Sequence, residues 1–592
     1  MLWSGGHTTF IGYHKNPGQA AVTSKTLTSF IIAALLPLTA PPVIAEEAIG
    51  SYLAARQARY SNDFTAAAEY YSKAVTRDPS NPTILENAVF AQLAVGNVDG
   101  AVAIARKMEA EELKSQIAHM ALIAAESAGE DYDALLSRIE DERGIGPLGD
   151  GLIEAWSLVG KGDMRAALTR FDEVAEQRGL RSFGLYHKAL AVASVGDFES
   201  AHDILSGEAD GPMQRTRRGT QAWVMVLSQL ERNDEAVALI DDVFGSDLDP
   251  ELQQMRGRLV AGEQVPFSLI ETPLDGMSEV FYSLGRALVQ DAGEEYALLY
   301  ARIAEHLNAG HIDAILMGAD LLDSLGRYQL ATEAYRQVPR EHPSFHAAEL
   351  GRAESLRRAG KTDTAVEVLE QLAETRGDLP AVHVSAGDLH RQLENYEDAA
   401  AAYDKAIALY AERDAEQWFV HYARAISYER MGDWDKAEAD FRKALELNPG
   451  QPQVLNYLGY SLVEKQKKLD EALDMIERAV EAQPNSGYIV DSLGWVLYRL
   501  GRYEEAVGHM ERASELMPVD PVVNDHLGDV LWAVGRKTEA RFQWKRALSF
   551  VDKDTPSPDI DPDRIRRKLE VGLDQVLQEE GAPPLEVADD GG

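Results

Sequence analysis

Apolar residues along this chain recur three and four apart, as at Leu473, Ile476 and Val480, a spacing that predicts helices with one buried face. The helical pattern itself repeats. An alanine early in the second helix of each unit marks the beat, at Ala67, Ala101, Ala167, Ala201, Ala236, Ala297, Ala331, Ala365, Ala399, Ala437, Ala472, Ala506 and Ala540. Most steps are 34 residues or within four of that. A step of 66 spans nearly two units, with a degenerate one around 132–136, and a step of 61 holds one unit and an insertion. The spacing predicts 13 or 14 helix–turn–helix units between 48 and 550.

Other positions keep the same period. Leu-Gly pairs stand at Leu284-Gly285, Leu458-Gly459, Leu493-Gly494 and Leu527-Gly528. A large residue follows the marker alanine by four, at Tyr71, Phe171, Tyr335, Tyr403, Phe441 and Trp544. Glycine at the inter-helix turn, as at Gly432 and Gly501, supplies the left-handed conformation that ends the first helix. Proline then closes the unit, as at Pro449, Pro484 and Pro518, because it cannot continue a helix. Small residues on facing helices let backbones approach, and the aromatic fills the gap that remains.

These motifs resemble the tetratricopeptide repeat family over about 48–550, most closely at 418–548, where residues 493–506 approach a consensus unit. The resemblance implies an all-α, right-handed superhelical solenoid whose units bury apolar faces against one another. The expected organisation is a leader and signal peptide at 1–45 and a first array at 48–244, degenerate around 115–145. An irregular insertion at 245–275, a second array at 276–550, a capping helix at 562–580 and a disordered tail at 581–592 follow.

Composition narrows the function. The chain has 592 residues, too many for one compact core, and carries a net charge of −39. Nucleic acid is disfavoured as a partner, since affinity there rests on Lys and Arg neutralising phosphates. The absence of cysteine removes disulfides, thiolate metal sites, cysteine nucleophiles and attachment through a lipidated cysteine. Near the N-terminus, Lys25 precedes an apolar run over 27–40, then Ala45 and Glu46-Glu47. This order reads as a secretory signal cleaved after Ala45, with translation expected to start near Val22; a retained anchor is the alternative. The run is shorter than the ~20 residues of a membrane-spanning helix. The expected location is the periplasm, with no stable membrane insertion after cleavage.

Motifs of chemistry are weak. Gly144-Ile145-Gly146-Pro147-Leu148-Gly149 matches G-x-G-x-x-G but follows a helical pattern rather than a strand. Gly360-Lys361-Thr362 lacks the first glycine of a P-loop and falls on an inter-helix turn. His342 and His346, and His306 and His311, lack the spacing of a zinc-binding pair. Asp559, Asp561 and Asp563 lack the glycine and glutamate of a calcium loop. No catalytic residue, cofactor or metal is expected, and an enzyme is the poorest of the readings.

The family resemblance places partner contacts on the first helix of each unit, along the concave face. Carried onto the best-registered units, it implies a groove of Phe419, Tyr422, Ile426 and Arg430, with Asn456 and Tyr460. The groove continues through Tyr488, Asp491, Trp495, Tyr498 and Arg499 to Asp525, Asp529 and Trp532. The set is rich in Tyr, Trp and Arg, which dominate binding hot spots. The family's carboxylate clamp is not recognisable. The block from Asn456 to Trp532 is also similar to the C-terminal part of bacterial envelope repeat proteins, some of them lipoprotein adaptors of carboxyl-terminal processing proteases. An exported adaptor that binds a protein partner is therefore expected, with a scaffold for envelope polysaccharide synthesis or export as the alternative.

Overall fold

Short polar side chains start the second helices of the early units. Asp63, Asn97, Asp131, Asp163 and Asp197 each accept the backbone N–H three residues on, satisfying a donor that a helix start leaves unpaired. The computed structural model describes residues 44–585 apart from 209–210, 212, 246–247, 292, 411–416 and 553–559. Within these residues lie 31 helices, from Ile44–Tyr60 to Leu573–Glu579, and no strand. Twenty-eight form 14 pairs, and consecutive pairs pack on one another as a solenoid except across the helix Pro250–Val260, where the sixth pair is not followed by the seventh as a stacked neighbour.

The marker alanines sit where the helices of a pair touch, and all 13 are fully buried. The Leu-Gly glycines face the second helix: a Cβ on Gly528 would lie 2.4 Å from Trp544, and one on Gly494 2.3 Å from Met510. Ala506→Glu is expected to cost several kcal/mol, on the order of other unpaired buried charges, and a thermal melt of the variant checks it.

Three helices stand outside the pairs. Pro250–Val260 falls within the segment expected to be irregular; Asp249 caps it by accepting the N–H groups of Glu251 and Leu252. Pro562–Val571 and Leu573–Glu579 close the C-terminal end, so the expected single capping helix is two, separated at Gly572. Asp561, read in the sequence as part of a loose acidic cluster, is the N-cap of the first of them. The leader falls outside the described residues except for its last two positions, as do residues 586–592 of the expected tail.

After Pro250–Val260 the chain runs without helix through 261–272 and then turns back on itself. Helix Pro273–Asp291 packs against Gln116–Ala128, Pro147–Gly160 and Arg181–Ser194, and helix Glu294–Leu307 against Pro82–Ala94 and Gln116–Ala128. These partners are first helices of the early pairs, the face that lines a solenoid's concavity. One continuous apolar cluster consequently runs from Phe64 to Ala348. A second joins Ala425 to Leu573, and only small clusters lie between.

Candidate protein-binding groove

The N-terminal concave face is filled by the chain's own helix pair, held by a buried ionic cluster. Glu279 accepts from the Tyr186 hydroxyl at 2.9 Å and from Arg218 through Nε and Nη2, the latter at 2.7 Å. His311 Nε2 lies 3.1 Å from the same carboxylate. Burial alone would raise the Glu279 carboxyl, but the Arg218 guanidinium and His311 outweigh it and hold it well below the ordinary range. Beside it, the Trp156 indole N–H donates to His187 Nδ1 at 3.1 Å. An indole nitrogen only donates, so His187 is neutral here and its Nε2–H faces Ser283 Oγ at 3.1 Å. Burial brings the His187 pKa down to about 4. Nearer the N-terminus, Arg59 pairs with Glu295, and Tyr296 meets Phe90 edge-on at 5.9 Å.

The concave face of the later pairs is different. Phe419 is 40% exposed and Tyr488 51% exposed. Between them Tyr422 is half-buried, 6.0 Å from both Tyr457 and Phe441 and 6.5 Å from Trp418. Burial pushes the Tyr422 hydroxyl up to about 12. Asn456 and Tyr460 are half-buried on helix Pro452–Glu464, and Arg430 is exposed at the end of helix Gln417–Arg430. Trp418 and Tyr457 join this aromatic wall without having been singled out in the sequence. Each stands one residue from a named position, Phe419 and Asn456, so the wall is wider than the positions the repeat register picks out.

Farther along, the implied contacts are already used. Trp495 is stacked on His526 at 4.0 Å and on Tyr498 at 4.9 Å, and Tyr498 is buried. The Trp495 indole N–H and Arg499 both donate to Glu464, at 3.0 and 2.8 Å. Asp491 is buried and accepts from the His526 Nδ1–H at 3.0 Å. Burial disfavours charge on His526, but Asp491, with Asp525 and Asp529, outweighs it and raises its pKa. Asp525, Asp529 and Trp532, read in the sequence as groove residues, lie beneath the C-terminal helices. Lys568, fully buried, donates to Asp525 at 2.9 Å and to Asp529 at 2.6 Å. The Trp544 indole N–H donates to Asp529, and that of Trp532 to Asp574. The expectation that these three face a partner is thus corrected: the chain's own cap covers them.

Among the described residues, His202, Asp203 and Glu208 bring three possible metal-ligand atoms within 4.8 Å of one another. His202 Nδ1 already accepts the Trp223 indole N–H at 3.1 Å, and both carboxylates are exposed. No described helix is long and apolar enough to cross a membrane.

One model of the tetratricopeptide repeat matches residues 52–116, 316–380 and 422–487, and two further models of the same repeat match 489–516 and 380–413. The chain is 27% identical over 173 residues to a TPR repeat-containing protein, PA4667, of Pseudomonas aeruginosa, covering 29% of this chain and 28% of that one. It is 26% identical over 218 residues to the human protein O-mannosyl-transferase TMTC1, covering 37% of this chain and 24% of that one. The chain therefore spans only about a quarter of the length of either relative, 28% and 24%. Among solved structures it is similar to the APC/C hetero-tetramer Cut9–Hcn1, with a TM-score of 0.37, 14% identity, and coverage of 89% of this chain and 96% of that one. The matched segments are tetratricopeptide repeats, a module that binds protein partners.

Proposed function

We propose that this chain is an exported adaptor of the bacterial envelope that holds a protein partner on the concave face of its later repeats and performs no chemistry itself. One observation carries the reading: the early concave face is packed with the chain's own helices, whereas the later one presents Phe419 and Tyr488 to solvent on an aromatic wall. Aromatic side chains of this kind anchor protein interfaces. Export rests on the basic–apolar–small order ending at Ala45. The partner, a carboxyl-terminal processing protease or one of its substrates, rests on the resemblance of the 456–532 block.

The test is affinity capture from envelope extract with residues 46–592, using the wild-type chain and the double variant Phe419→Ala/Tyr488→Ala. Both side chains are exposed, so the variant is expected to melt as the parent does. Loss of two anchors is expected to weaken capture of the protease or its substrates by tenfold or more, about 2 kcal/mol or more. Equal retention by the variant overturns the groove. Recovery of a polysaccharide synthase or export pore in place of the protease overturns the adaptor role. The N-terminal sequence of the mature chain, expected to begin at Glu46, tests export separately.

A further inference from the structure

We propose that the chain has a second binding site, for an acidic peptide segment, beside the first described helix of its N-terminal array. The site goes beyond the groove of the later repeats and shares no residue with it. A cavity of about 490 Å³ lies between helix Ile44–Tyr60, helix Pro82–Ala94 and the start of helix Glu294–Leu307, lined by Tyr52, Arg56, Arg59, Tyr60, Asn87 and Glu295 among others. That volume is in the ~300–1,000 Å³ range of ligand sites.

Its charge is opposite to that of the whole chain. Arg59 is spoken for, paired with Glu295 at 2.5 Å with its guanidinium 3.8 Å from the Phe90 ring. Arg56 is not: it is exposed, lies 5.8 Å from the Tyr52 ring, and makes no hydrogen bond or ion pair among the described residues. With Glu295 neutralised by Arg59, one free positive charge remains in the cavity. A guanidinium matches a carboxylate through paired N–H donors.

The surroundings favour a peptide over a small anion. Ile49, Leu53 and Tyr60 are 60%, 54% and 88% exposed. At spacings of four and seven from one another they share one face of the first helix with Arg56. That face has no packing partner among the described residues, whereas the far end of the solenoid is covered by two helices. An acidic residue flanked by apolar ones would place its carboxylate on Arg56 and its neighbours on Ile49, Leu53 and Tyr60.

Fluorescence anisotropy on the full chain tests this with a labelled peptide alternating Glu and Leu, a matched Lys–Leu peptide, and inorganic phosphate as competitor. The Glu–Leu peptide is expected to bind and the Lys–Leu peptide not. Arg56→Glu is expected to weaken binding about tenfold or more, and Arg56→Gln less. Tyr488→Ala is expected to leave it unchanged, so failure of this site and failure of the later groove are distinguishable. Absence of Glu–Leu binding, equal binding of the Lys–Leu peptide, or an Arg56→Glu variant that binds as the parent does overturns the proposal. So does displacement by phosphate alone, which would make the cavity a small-anion site.

Discussion

Glu279→Ala is expected to destabilise the N-terminal body by about 3–5 kcal/mol, the cost of breaking a buried ion pair from one side. The loss leaves Arg218 with Asp313 as its remaining carboxylate partner, strips His311 Nε2 of its partner and removes the acceptor of the Tyr186 hydroxyl. Because Glu279 belongs to helix Pro273–Asp291, the first event should be release of the 273–307 helix pair from the early concave face. Denaturant unfolding should therefore split into two phases, with protease cutting first in the helix-free stretch 261–272. Glu279→Gln, which keeps an acceptor for Tyr186, should lose less. A single unshifted transition in Glu279→Ala would show that the helix pair is held by apolar packing alone.

The same cluster sets an acid limit. The folded-state pKa of Glu279 lies below its unfolded value, so its contribution is complete above about 4.3 and fades as pH falls further. His187 is held neutral, its pKa lowered from 6.5 to about 4, so a penalty begins once the unfolded chain takes up a proton below 6.5 and is complete near 4. Both act in one direction. The N-terminal phase should weaken steadily between pH 6.5 and 4, and Glu279→Ala should flatten the part below 4.3.

The second large effect is expected at the other end. Lys568→Ala should cost about 3–5 kcal/mol by stranding the buried carboxylates of Asp525 and Asp529. In a solenoid each unit leans only on its neighbours, so the damage should stay local. Hydrogen exchange should speed up in helices Pro521–Ala533, Lys537–Phe550 and Pro562–Val571, while helices before Ala425 keep the parent's protection. The triple variant Lys568→Met/Asp525→Asn/Asp529→Asn, which removes the charges together, should recover much of the loss. Uniformly faster exchange along the whole chain would instead show that the cap is coupled to the full length of the array.

Much of the architecture was legible in the sequence because it is local. The period, the alanines at helix contacts and the glycine turns act within about 34 residues, and each is forced by whether two backbones can touch. The 13 marker alanines are all fully buried. The groove was legible by residue type but only partly by position. Phe419 and Tyr488 are open, but the same periodic rule also named Asp525, Asp529 and Trp532, which lie under the cap. Position in a repeat says which way a side chain points; it does not say whether another part of the chain has arrived first. Lys568 lies 39 residues from Asp529, and Glu279 lies 93 from Tyr186, distances at which a repeat pattern holds no information. Repetition alone therefore determined that this is a solenoid and where its units begin. Tertiary structure decided which stretches of its concave face are filled from within, because the buried charges at Glu279 and Lys568 find their partners only once the chain has folded back on itself.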